Sequence, residues 1–307
     1  MTNFLLLGIC FLSGILFRKF NKLPANTPDV LNSFIINISL PALTILHIHG
    51  VKINFELLIP ISMAWVLFGL AAAFFNLIGK QLNWSRSIIC LMILVCGLGN
   101  TSFLGLPMIE VYFGKEGIPT ALIIDQLGTF LVLSTLGIFL VSYNSGSSFN
   151  SKSILKRIFT FPPFISILIA LMLLPVEYPK ELVSVLEKLG GTLSPLALFS
   201  VGYQISLSQF NSYKLELAVG LVFKLILAPA SIYFLYQFLM REKGLTFNVT
   251  VFESAMPPMI TAAIVASQFK LNKELASMLV GIGIVISFLT LFLWWMILVC
   301  YNVNRIG

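Results

Sequence analysis

The chain has 307 residues, of which 58% are apolar and only 10% charged, and its mean hydropathy is +0.98. A soluble domain carries roughly 25% charged residues, so this composition excludes an ordinary soluble fold and points to a membrane protein. The net charge of +7 does not signal nucleic acid, because the 19 basic residues are spread between apolar runs rather than gathered with aromatic residues into a patch.

Apolar runs of about 20 residues, the length that crosses a hydrocarbon core, predict an all-α polytopic membrane protein with ten transmembrane helices. The first, at 3–17, lacks a basic leader region and runs straight into Arg18, Lys19 and Lys22, so it reads as a retained span rather than a signal peptide. The second, at 29–48, contains Leu40-Pro41-Ala42-Leu43 and ends in His47 and His49. Two residues apart, these histidines do not share a helix face, which favours interfacial anchoring over metal binding. The third lies at 57–78, and the fourth, at 87–113, is interrupted by Gly97-Leu-Gly-Asn-Thr-Ser-Phe-Leu-Gly-Leu-Pro107. The fifth, at 118–142, carries Asp125 and Gln126 in its apolar interior, and Asn144–Ser153 follows as a Ser-, Gly- and Asn-rich linker. The sixth lies at 161–175, and the seventh, at 182–206, contains Gly190-Gly191 and Ser194-Pro195-Leu196-Ala197-Leu198. Lys224 sits inside the eighth, at 213–237, and the ninth, at 248–268, is broken by Glu253-Ser-Ala-Met-Pro-Pro258. Trp294 and Trp295 near the end of the tenth, at 275–300, form part of an aromatic belt.

With the amino terminus outside, the inward loops hold eleven basic residues and the outward segments seven, so the positive-inside bias places both termini outside. The linker divides the chain into residues 1–143, a cytoplasmic segment 144–160 and residues 161–307. The prolines of helices two and seven, and those of helices four and nine, recur about 150 residues apart, as an internal repeat predicts. With five helices in each half, the two repeats must be inverted relative to one another.

The two interruptions mark the candidate site. An unpaired backbone group in hydrocarbon costs several kcal/mol, so a break at mid-depth persists only where protein, ligand or a wet cavity satisfies the freed groups. Pro107 removes a backbone donor, and Gly99 and Gly105 tolerate dihedrals closed to other residues. Asn100, Thr101 and Ser102 place a carboxamide and two hydroxyls beside the break, where the amino-terminal end of the half-helix near Pro107 also favours an anion. Pro257 and Pro258 remove two consecutive donors from helix nine, Met256 and Met259 are pliable wall residues, and Thr261 and Glu253 are further polar candidates. A charge buried at this depth costs roughly 2.5–3.5 kcal/mol, so Asp125 and Lys224 call for pairing, water or neutralisation. They form an internal pair, or Lys224 meets the substrate, or the two handle protons.

Cys10, Cys90, Cys96 and Cys300 all fall in apolar runs with no C-x-x-C and no histidine at ligand spacing, so neither a disulfide nor a metal site is expected. No P-loop is present, which argues for secondary transport rather than ATP hydrolysis, and no enzymatic motif or cofactor fingerprint appears.

The stretches Gly99-Asn-Thr-Ser-Phe-Leu-Gly-Leu-Pro107 and Ala255-Met-Pro-Pro-Met-Ile-Thr-Ala-Ala263 resemble those of a bacterial member of the auxin efflux carrier family, related in outline to bile-acid sodium symporters. The resemblance runs the full length of the chain. It implies crossing interrupted helices four and nine, a transport domain of helices three to five and eight to ten, and a scaffold of helices one, two, six and seven. It also implies a carboxylate substrate, a homodimer through the scaffold, and the bacterial plasma (inner) membrane. The long hydrophilic loop of many plant carriers is replaced here by a loop of about 18 residues, which argues against auxin itself as the substrate. The expected activity is secondary transport of a small organic mono- or dicarboxylate by alternating access, coupled to protons, to sodium or to neither. A sensor or receptor that binds such an anion without moving it is the alternative.

Overall fold

A computed structural model describes residues 2–48, 55–145, 159–204, 213–239 and 244–303. His49 and most of the 144–160 linker lie outside the described residues. The described chain is helical, with no strand among the described residues. In order the helices are α1 (Thr2–Lys19), α2 (Thr27–Ile48), α3 (Leu58–Gln81), α4 (Arg86–Cys96), α5 (Leu106–Phe113), α6 (Lys115–Asn144), α7 (Pro162–Met172), α8 (Lys180–Gly190), α9 (Leu193–Gln204), α10 (Lys214–Phe238), α11 (Leu245–Ser254), α12 (Ile260–Gln268) and α13 (Lys273–Val303). Among the described residues, six segments are long and apolar enough to cross a membrane: α2, α3, α6, the run Lys180–Tyr203 through α8 and α9, α10, and α13 to Val299. The protein is therefore a multi-pass membrane protein.

Contacts divide the chain into two compact units. The first gathers Met1–Asn54, Ser102–Leu122 and Leu155–Ile205. Its tightest packing lies where α1 meets α9: a Cβ added at Gly14 would overlap the Phe199 carbonyl oxygen, and one at Gly202 would overlap that of Phe11. Small residues let helix backbones approach closely in lipid, where no hydrophobic force pushes helices together. Polar links secure the same unit. The Tyr203 hydroxyl donates to the Leu23 carbonyl at 2.6 Å, with the Arg18 guanidinium 5.5 Å from its ring centroid. Ser200 donates to the Asn32 side chain at 2.7 Å, Ser39 and Thr192 share a 2.7 Å bond, and Ser194 donates to Glu110 at 3.0 Å.

The second unit holds Phe55–Thr101, Ile123–Ile154 and Ser206–Gly307. At its centre are two short helices buried on every side: each residue from Ile89 to Cys96 of α4, and each from Phe247 to Ser254 of α11, is buried. A helix without a polar face belongs in a core. By contrast α13 leaves Leu289, Phe292, Leu293 and Ile297 exposed along one side, the face that meets lipid. α10 and α13 are joined by the Trp294 indole N–H, which donates to the Leu225 carbonyl at 3.0 Å. α3 and α10 are joined by a 2.6 Å bond between Ser62 and Tyr236.

Three of the longer helices contain π-helical turns, Ile35–Ser39 in α2, Ile124–Thr129 and Leu133–Gly137 in α6, and Phe223–Leu227 in α10. A π-turn adds a residue to the helical circuit and rotates the side chains beyond it, and such bulges gather at functional sites. Asp125, Gln126 and Lys224 all stand in these turns.

Candidate functional site

The two interruptions of the second unit are bonded to each other. α4 ends when the Gly97 amide bonds the Ile93 carbonyl at 2.9 Å, and α11 ends when the Ala255 amide bonds the Val251 and Phe252 carbonyls at 3.2 and 3.1 Å. Beyond those caps the chains run antiparallel through an isolated bridge between Gly99 and Pro258. The Asn100 amide donates to the Pro257 carbonyl at 2.8 Å, and the Met259 amide donates to the Leu98 carbonyl at 3.2 Å. Pro257 and Pro258 have no amide to offer, so the pairing uses the carbonyl of one and the amide that follows the other. Backbone groups that would be orphaned in hydrocarbon thus satisfy one another.

Pro258 is held from behind by α13, where a Cβ at Gly283 would lie 2.7 Å from its ring Cδ and 3.0 Å from Leu221 Cδ2. α12 then begins with the Ala263 amide on the Met259 carbonyl at 3.2 Å. Thr261 is partly exposed in its first turn.

Around the bridge stand the polar side chains. Asn100 and Thr101 are 1% exposed, Asp125 2%, and Gln126, Lys224 and Glu253 0%. The Thr101 hydroxyl donates to Asp125 Oδ1 at 2.6 Å. A threonine has a single O–H, so Thr101 orients Asp125 and has no donor left for a ligand. Lys224 Nζ donates to the Ser254 carbonyl at 2.8 Å, at the carboxyl-terminal end of α11. Asn100 at Nδ2 and Glu253 at both carboxylate oxygens lack hydrogen-bond partners among the described residues. A buried donor or acceptor left unmade costs about 1–3 kcal/mol, more when charged.

Asn100, Thr101, Asp125, Gln126, Lys224, Glu253, Pro257, Pro258 and Thr261 all fall within the second unit. Ser102, Gly105 and Pro107 fall in the first, Ser102 and Gly105 in the π-helical turn Thr101–Gly105 and Pro107 buried in the first turn of α5. The sequence did not disclose the Thr101–Asp125 bond, which joins residues 24 apart, nor the seat of Lys224 on a backbone carbonyl. Nothing local in the sequence signals either contact.

Comparison with known proteins gives a consistent result. A family model described as membrane transport protein matches residues 2–295. An uncharacterized transporter of Methanocaldococcus jannaschii is 28% identical, the match covering 97% of this chain and 99% of that protein. A second uncharacterized transporter, from Methanothermobacter thermautotrophicus, is 25% identical over 94% of this chain and 95% of its own.

Proposed function

The chain belongs to the membrane transport protein family, the auxin efflux carrier family, and we propose that within it this protein is a secondary carrier of a small organic anion with one or two carboxylates. One observation carries the proposal: the Asn100 carboxamide is buried beside the paired breaks with no acceptor for its Nδ2. A carboxylate is the ligand that such a donor lacks, since it accepts through two oxygens and makes a charge-assisted bond. Lys224, whose Nζ lies 3.4 Å from where a Cβ on the neighbouring Gly99 would stand, adds positive potential beside the same break.

In this reading Asn100 meets the substrate, Thr101 positions Asp125, and Pro257 and Pro258 keep α11 and α12 apart so that the bridge persists. Ser102, Gly105 and Pro107 shape the continuation of the first break, and Gln126 and Thr261 are further wall residues. Ten transmembrane helices in two inverted repeats, with helices four and nine crossing at their breaks, account for the recurrence of prolines in the two halves. Alternating access follows from moving a transport domain of helices three to five and eight to ten against a scaffold of helices one, two, six and seven. The scaffold also provides the contact for a homodimer, and both termini face outward from a plasma membrane. Coupling runs through protons or sodium, if the substrate gradient is not itself the driving force.

Purified protein in liposomes, challenged with a panel of radiolabelled mono- and dicarboxylates, tests the reading. Accumulation of at least one carboxylate, blocked by excess unlabelled compound, is the expected outcome. Saturable binding with no passage into the lumen under any imposed gradient contradicts it and favours a receptor.

A further inference from the structure

The break in α11 carries its own cation. Where a transmembrane helix is interrupted, the carbonyls at the carboxyl-terminal end of its first half concentrate negative partial charge, and coupling cations settle there. Here that end presents the Ser254 carbonyl, and the group that meets it at 2.8 Å is the Lys224 ammonium. Lys224 reaches this point from the π-helical turn of α10 and is completely buried. It lies against the other break as well: a Cβ at Gly99 would sit 3.4 Å from Lys224 Nζ and 3.4 Å from the Glu253 carbonyl oxygen. The ammonium therefore stands where the backbones of both interruptions come together.

The acidic groups around it complete the resemblance to a cation site. Glu253 and Asp125 are buried in the same cluster, and Glu253 interacts electrostatically with both Asp125 and Lys224. A hard metal cation bound among these oxygens would bring positive charge and require several oxygen ligands at short range. Lys224 supplies one positive charge on a four-carbon stem, without an ion having to be captured from solution. Its Nζ is bonded to the Ser254 carbonyl, the oxygen that such a metal would use.

We propose that Lys224 is a tethered cation that takes the place of a coupling sodium ion at the α11 break, so that the site holds together without sodium. This rests on the carrier reading above, and it narrows the coupling question by removing sodium from this position.

The test is the melting temperature of the purified protein in lipid nanodiscs, compared in sodium chloride and choline chloride. Wild type is expected to melt at the same temperature in both. Lys224→Ala is expected to melt earlier in choline chloride, and to regain roughly 2 °C or more when sodium or methylammonium chloride is supplied to the vacated position. Should that variant not fold, Lys224→Ser, whose short side chain likewise leaves the position open, is read in the same way. A wild-type protein stabilised by sodium over choline overturns the proposal. So does a folded variant whose lost stability neither cation restores. Because melting requires no substrate, a failure here is distinguishable from a failure of the carrier reading in the liposome experiment.

Discussion

The amide of Asn100 and the carbonyl of Pro257, 157 positions apart in the chain, form a 2.8 Å hydrogen bond that ties one interrupted helix to the other. The bond uses the backbone of Asn100 and leaves its side chain without a partner for Nδ2. One residue thus closes the bridge with its main chain and offers a donor with its carboxamide. The main-chain bond of Asn100 and the binding role proposed for its carboxamide are separable, because substitutions change only the side chain.

The bridge also depends on what packs behind it. Gly283→Ala is expected to destabilise the protein by about 1–3 kcal/mol, as overpacking does, because the new methyl would press on the Pro258 ring at 2.7 Å and a proline ring cannot rotate away. Thermal melting in detergent checks the loss. Gly69→Ala, at a position where an added Cβ meets nothing within 4 Å, serves as the control and is expected to melt like wild type.

Thr101 is expected to act through Asp125. Thr101→Val removes the hydroxyl that donates to Asp125 at 2.6 Å, and a hydrogen bond to a charged group is worth about 1.5–3 kcal/mol. Thr101→Ser keeps the hydroxyl and should retain most of the stability. Melting of the two variants side by side decides the point: a loss in Thr101→Ser with none in Thr101→Val would mean that the methyl, and not the hydroxyl, matters at this position.

In the first unit the contact between α1 and α9 should be intolerant of any side chain. Gly14→Leu and Gly202→Leu each place a branched group on a carbonyl oxygen of the opposing helix, at Phe199 and Phe11 respectively. Both are expected to lower the yield of folded protein sharply, as measured by monodisperse recovery on size exclusion. Gly8→Leu, at a position where an added Cβ meets nothing within 4 Å, is expected to be tolerated.

How much of this was legible in the sequence differs from residue to residue. Pro107, Pro257 and Pro258 announce the breaks because a missing amide is a local and unavoidable consequence of the residue type. Asn100 was legible as a candidate because a carboxamide in an apolar run needs a partner. That the two breaks pair with each other was not, since hydrogen bonding between Leu98–Asn100 and Pro257–Met259 depends on tertiary approach. The π-turns that present Asp125 and Lys224 were hidden too: residues flanking them keep helical dihedrals, and the extra residue per turn leaves no compositional trace. Sequence reasoning singled out Gly190 and Gly191 for close packing. Gly190 does sit with its added Cβ 3.0 Å from Leu43, but the tighter pair, Gly14 and Gly202, carries no adjacent proline or second glycine to draw notice.

The most direct test of the central claim, that the free donor of Asn100 is there for a substrate carboxylate, is equilibrium binding of the transported carboxylate measured alongside thermal melting for wild type, Asn100→Ala and Asn100→Asp. Losing a hydrogen bond to a charged ligand, about 1.5–3 kcal/mol, weakens affinity roughly tenfold to hundredfold. Asn100→Asp, if it is ionised, should bind still more weakly, because it replaces donors with acceptors and sets like charges together. Melting of Asn100→Ala should change little, since its backbone bond to Pro257 remains. Wild-type affinity in Asn100→Ala combined with a lowered melting temperature would contradict the account and make Asn100 a residue that only repairs the break.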